Sequence, residues 1–241
     1  MNEIRRGETR LVLAASVLGL GILLGAVAFG SFFYAARERT KTIQVTGSAS
    51  ERFDSDIAKW RLTIARQVSD FELAAGYSLL QVDLQRVIGH MRAAGIDSAS
   101  IEVQPVNTNP MWGREGQREG YNVTQSLYLI GTPERLESLA LNPGEMLGSG
   151  LALEGSYLEY FYSRIADLKR SLLSKATEDA RLRAAEIAGG EERLGGMTSG
   201  RAGVFQINEP YSTEVSAGGM YSTSTKAKEI SVTVHAVFEA D

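Results

Sequence analysis

The sequence predicts an α+β protein, in which an N-terminal transmembrane helix precedes a mixed or antiparallel sheet domain with helices packed on one face. Three observations lead there. Residues 11–36 are 26 consecutive uncharged positions between Arg10 and Arg37. Beyond them, apolar residues alternate in several short stretches, which is the period of strands. In two longer stretches they recur every three or four residues, the period of helices.

The apolar run exceeds the roughly 20 residues that cross a bilayer core. A cleaved signal peptide is the alternative, because Arg5, Arg6 and Arg10 form a basic n-region and Ala26-Val27-Ala28 fits a small-x-small cleavage site. The run continues past Ala28 through Phe29, Phe32, Phe33 and Tyr34, beyond the about 15 residues of a signal h-region. The reading is therefore an uncleaved anchor at 11–36 behind a tail at 1–10. Arg37, Arg39 and Lys41 balance the three N-terminal arginines, so the positive-inside rule leaves orientation open. Within the span, Gly21 and Gly25 form a GxxxG, the spacing that lets helix backbones approach one another in a membrane.

The body follows in order. "TIQVTGSASERF" and "AKWRLTIARQV" alternate as half-buried strands, the second through Trp60, Leu62 and Ile64. Ser69 and Glu72 have capping-box spacing, and Leu73, Tyr77, Leu80, Leu84, Val87 and Met91 make one apolar helix face ending at Gly95. "ASIEVQPVNTNP" and "GYNVTQSLYLIGT" read as strands joined by a loop that carries Met111 and Trp112. Thr132-Pro133 starts a short helix, broken at Asn142-Pro143-Gly144. "LALEGSYLEYFYS" reads as another strand. Ser163 then caps a long helix whose face of Leu168, Leu172, Ala176, Ala180, Ala184 and Ala188 narrows to alanine before Gly189-Gly190 stops it. "AGVFQINEP" and "KEISVTVHAVFEA" complete the sheet around a Ser/Gly/Thr-rich loop, Tyr211 to Thr225, which contains Met220 and Tyr221.

Composition excludes several functions. With no cysteine there are no disulfides, thiolate nucleophiles or thiolate-held metals. Six of the 25 Lys and Arg lie at or before Lys41, leaving 19 basic against 26 acidic side chains, the wrong balance for nucleic acid. His90 and His235 are the two histidines, and each reads as a polar residue at an element surface; neither makes a Ser-His-Asp group. Asp54 and Asp56 precede the second strand, where Asp closes turns through its own backbone. No catalytic, cofactor or metal residues are assigned. Trp112 either anchors a partner or folds back on its own sheet, and the Met220–Tyr221 loop is either an interface strap or a flexible tip.

Taken together, "VTGSASERFDSDIAKWRLTI", "MRAAGI", "GYNVTQSLYL", "ADLKRSLLSKATEDARLRAAEIAGG" and "ISVTVHAVFE" resemble the SIMPL domain family, also called the domain of unknown function 541, over 42–239. The resemblance implies a bacterial envelope protein: Met1 in the cytoplasm, the helix in the inner membrane among lipid, the domain in the periplasm. It further implies self-assembly into homo-oligomers, ring-like in some members, and loose links to envelope stress. No catalytic residue carries over from it. The expected role is an envelope scaffold or binding module without enzyme activity. The alternatives are a periplasmic enzyme using carboxylates such as Asp54 or Asp56, and a secreted soluble binding protein cleaved after Ala28.

Overall fold

A computed structural model describes residues 2–36 and 41–240; the basic flank at Arg37 and Arg39 lies outside them. Helix α1 (Asn2–Ala36) begins nine residues earlier than the predicted span, so most of the expected tail is helical as well. Its apolar stretch, Ser16–Phe33, has a mean hydropathy of 2.0, and none of it is buried against the domain.

The body contains β1 (Lys41–Asp54), β2 (Ile57–Val68), α2 (Leu73–Ala93), β3 (Ile101–Val103), β4 (Asn107–Trp112), β5 (Arg118–Gly131), α3 (Pro133–Ala140), α4 (Gly144–Gly148), β6 (Leu153–Phe161), α5 (Ile165–Ala188), β7 (Leu194–Ala202), β8 (Gln206–Asn208), β9 (Met220–Tyr221) and β10 (Ala227–Ala240). The strands form two five-stranded sheets, not one. In the first, β2 pairs with β6 and β5, and β3 and β4 share the far edge of β5. In the second, β10 pairs with β1 on one side and with β7 and β8 on the other, and β9 adds to β8 as a parallel pair.

Each sheet carries helices on one face, as the periodicities require. On the first, Leu80, Leu84, Val87 and Met91 of α2 and Leu136 of α3 meet Trp60, Leu62, Leu127 and Leu129. On the second, Leu172 and the fully buried alanines 176, 180 and 184 of α5 lie on Val232, Val234, Ala236 and Phe238. The alanine narrowing has a counterpart on the strand. A Cβ at Gly47 of β1 would stand 2.7 Å from the Ala180 Cα, closer still to the Ala176 carbonyl oxygen and the Ala180 amide nitrogen. Helix and strand approach closely only because both surfaces are small. Gly189, at φ 85°, ends α5 in the left-handed region, as predicted.

Several local expectations change. The stretch 99–110 breaks into β3 and β4, each pairing with its own half of β5. The Ser69 hydroxyl donates to the Glu72 carboxylate at 2.6 Å and caps no backbone, and a turn of 3-10 helix, Asp70–Glu72, precedes α2. Ser163 does not cap α5 either, because its N–H and hydroxyl both donate to Asp56, at 2.8 and 2.5 Å. Arg164 is the N-cap.

The two sheets repeat one topology. A helix, a split edge strand and a long central strand recur as α2, β3/β4, β5 and as α5, β7/β8, β10. The neighbouring strands are exchanged: β1 runs into β2 yet pairs in the second sheet, and β6 runs into α5 yet pairs in the first.

Candidate functional site

The helix-free face of the second sheet is shaped by strand alternation. On β10, Ile230, Val232, Val234, Ala236 and Phe238 point at α5, so Ser231, Thr233 and His235 point away. In the β1–β10 register Ser50 faces Ser231, Ser48 faces Thr233 and Thr46 faces His235, and Arg201 of β7 lies opposite His235 on its other side. Ser48, Ser50, Ser231, Thr233, His235 and Arg201 floor an open groove of about 940 Å³ walled by Val204, Val215 and Ala217.

The wall is pinned. Gln206 donates through Nε2 to the Ser216 carbonyl at 2.7 Å and accepts the Ser216 N–H at 3.2 Å, while Asn208 donates to the Glu214 carbonyl at 2.6 Å. Ser222 and Ser224 both donate to Glu209, at 2.6 and 2.5 Å, and these two bonds hold the Glu209 carboxyl down at about 2. Lys228 is fully buried and donates to the Ser222 carbonyl at 2.6 Å; burial lowers its ammonium pKa against the pull of Glu209. The 211–225 segment is therefore a tied strap, with Met220 and Tyr221 in β9 and Tyr221 stacked on Phe161 at 6.3 Å.

The other sequence candidates are dispersed. Met111 and Trp112 sit in β4, on the edge of the first sheet, where Trp112 remains 63 % exposed. Asp54 closes the end of the β1–β10 ladder. Asp56 reaches across the chain to Ser163 instead of folding onto its own turn, and the Ser163 hydroxyl holds its pKa below the ordinary carboxylate value. His90 lies in the last turn of α2, and His235 bonds the Thr46 hydroxyl through Nδ1 at 2.8 Å. Gly21 and Gly25 face open space on α1, with nothing within 4 Å of a Cβ at either.

Strand alternation already put Lys228 on the side of Ile230 and Val232, and that was the available signal for this buried cation. On the first sheet's open face the cations are paired off, Lys59 over Tyr128 at 4.5 Å and Arg61 over Tyr157 at 4.8 Å. In the groove of the second sheet, Arg201, Ser50, Ser231 and Thr233 have side chains without a hydrogen bond or ion pair among the described residues.

These features define a class: an α+β domain of two exchanged sheets, one bearing a preformed polar groove, behind an apolar N-terminal helix of membrane-span or signal-sequence character. The chain belongs to the SIMPL family, described as a protein of unknown function (DUF541), whose model matches residues 43–238. No curated protein matches it.

Proposed function

We propose that α1 is a retained single-pass anchor in the inner membrane, N-terminus in the cytoplasm, and that the periplasmic domains assemble into a homo-oligomer serving as an envelope scaffold or binding module. The observation that carries this reading is the wholly uncovered apolar stretch Ser16–Phe33. A helix apolar all round needs a core or lipid around it.

Two features support assembly. The outer edge of β1 is guarded, since Asp179 of α5 accepts the Ser48 N–H at 2.7 Å and Lys175 pairs with Glu51 at 2.6 Å. The outer edge of β7 has no strand on it among the described residues, and eight of its nine residues are exposed. It carries glycine, serine and threonine in place of the lysines and prolines that block edge pairing. Anchoring on one membrane raises the effective concentration of such edges, so weak pairing becomes stable. A scaffold or binding role without catalysis agrees with carboxylates committed to structural partners, as Asp56 is to Ser163 and Asp179 to Ser48.

The test is the native mass of the detergent-extracted particle together with the mass of its denatured subunit. The expected result is a subunit near 26.1 kDa in a multi-copy particle that Gly196→Lys with Ser199→Lys dissociates without loss of secondary structure. A subunit lighter by 28 residues overturns the anchor, and a monomeric wild type overturns the assembly.

A further inference from the structure

We propose that the groove on the helix-free face of the second sheet binds a small sugar anion, its phosphate or carboxylate on Arg201 and His235 and its hydroxyls along the serine and threonine row. The inference concerns the groove alone and does not depend on the anchor or on assembly.

Charge is the first argument. The part of the chain beyond Lys41 has 26 acidic and 19 basic side chains, yet no Asp or Glu lines the groove, while Arg201 and His235 do. The Arg201 guanidinium has no hydrogen bond or ion pair among the described residues, unlike Arg52, Arg66, Arg118 and Arg183, each of which holds a carboxylate. Thr46 fixes the His235 ring through Nδ1 and leaves Nε2 open. A guanidinium beside an imidazole offers donors in the geometry that suits a planar carboxylate or a phosphate.

The hydroxyls extend the site. Ser50, Ser231 and Thr233 have side-chain oxygens with no hydrogen bond among the described residues, and the Ser48 hydroxyl, which accepts from Arg183 Nη2 at 3.5 Å, lies in the same row. From residue 46 to residue 50 a strand rises about 13–14 Å, enough for one or two sugar rings in register with the row. Each hydroxyl can both donate and accept, which matches sugar hydroxyls. Gly203 keeps the Thr233 hydroxyl uncovered, since a Cβ there would lie 2.7 Å from it. The apolar side of the groove, Val204, Val215 and Ala217, is held in place by Gln206 and Asn208 before any ligand arrives. The volume, about 940 Å³, lies within the range of small-molecule sites.

The test is isothermal titration of the full chain in detergent at low salt with glucuronate, glucose 6-phosphate, glucose and inorganic phosphate. Either sugar anion, or both, is expected to bind with a Kd on the order of 0.1–1 mM, and the stronger one shows whether carboxylate or phosphate is preferred. Glucose and inorganic phosphate are expected to bind at least about tenfold more weakly, as each lacks one half of the recognition. Arg201→Gln should weaken both anions about tenfold or more, and Ser50→Val with Ser231→Val should weaken the sugar anions while leaving inorganic phosphate unchanged. All variants alter the open face, and melting temperatures verify that they fold. No binding of either sugar anion overturns the proposal, as does unaltered affinity in Arg201→Gln. Glucose binding as tightly as the anions overturns the charge argument, and inorganic phosphate binding as tightly as glucose 6-phosphate overturns the sugar part.

Discussion

Replacing Gly47 by alanine measures how much of the fold depends on the contact between β1 and α5. The added methyl group would meet the Ala176 carbonyl oxygen and the Ala180 amide nitrogen, with the Ala180 Cα at 2.7 Å. These are backbone atoms in the middle of a 24-residue helix, so no side-chain rotation relieves the clash. Either α5 lifts off the sheet, opening the layer that buries Ala176, Ala180 and Ala184, or β1 bends away from β10. Overpacking costs about 1–3 kcal/mol, and a backbone clash belongs at the upper end. At about 2–4 °C per kcal/mol for a domain of this size, Gly47→Ala should melt about 6–12 °C below the wild type by circular dichroism in detergent. Gly196→Ala is the control, because nothing lies within 4 Å of its added carbon, and it should melt with the wild type. A Gly47→Ala protein melting within about 2 °C of wild type would refute the close-approach argument.

Two further predictions concern charge. Asp83 of α2 is 2 % exposed and takes a two-pronged bond from Arg66, with Arg66 Nη2 at 2.8 Å from Oδ1. Asp83→Asn should cost about 2–3 kcal/mol at an unchanged urea m-value, and an unmoved urea midpoint would show that the pair contributes nothing. For Glu209, the folded pKa of about 2 lies below the ordinary glutamate value of 4.5. Its contribution is therefore full above the unfolded pKa and is lost as pH falls from there toward the folded value. Glu209→Gln should narrow the gap in melting temperature between about pH 6 and about pH 3 without closing it, since Asp56, Glu134 and Asp179 are also shifted down. An identical gap in both proteins would remove Glu209 from the acid limb.

What the sequence showed depended on whether a signal was local. Trp60, Leu62 and Ile64 on one side of β2, and Leu80, Leu84, Val87 and Met91 on one side of α2, were legible because one buried face imposes its period on the chain. Strand β7 was not, because "LGGMTSGRA" is solvated on both faces and an edge strand with two wet faces carries no alternation. The division into two sheets was equally hidden, since β1 pairs with the far end of the chain and nothing local states the partner. The groove shares that limit: alternation put His235 on the outer face, but its bond to Thr46 spans 189 residues. The functions of Ser69 and Ser163 failed for a related reason, as Glu72 and Asp56 took up hydroxyls that the local pattern had assigned to helix ends.

The exchange of β1 and β6 bears on how the domain comes apart. Sheets with separate cores could unfold separately if each were built from one continuous stretch of chain, but neither is. The first sheet requires β6, which is separated from α5 by three residues, and the second requires β1, which is separated from β2 by two residues. The connections are also bonded across: Ser55 N–H to the Lys226 carbonyl at 2.9 Å, Asp56 N–H to the Phe161 carbonyl at 3.1 Å and Tyr160 N–H to the Thr223 carbonyl at 2.8 Å. Phe53 packs on Tyr162 at 4.9 Å, next to the Asp56–Ser163 bonds. Releasing either sheet pulls a strand end, these bonds and a ring contact out of the other, so local opening of one half carries a cost in both. The expected outcome is a single calorimetric transition for the 41–240 region, with probes of Trp60 in the first core and of helix α5 over the second melting together. Gly47→Ala, which touches only the second sheet, should lower both probes by the same amount. If Trp60 keeps its wild-type midpoint in that variant while α5 melts early, the two halves are independent and the exchanged strands do not couple them.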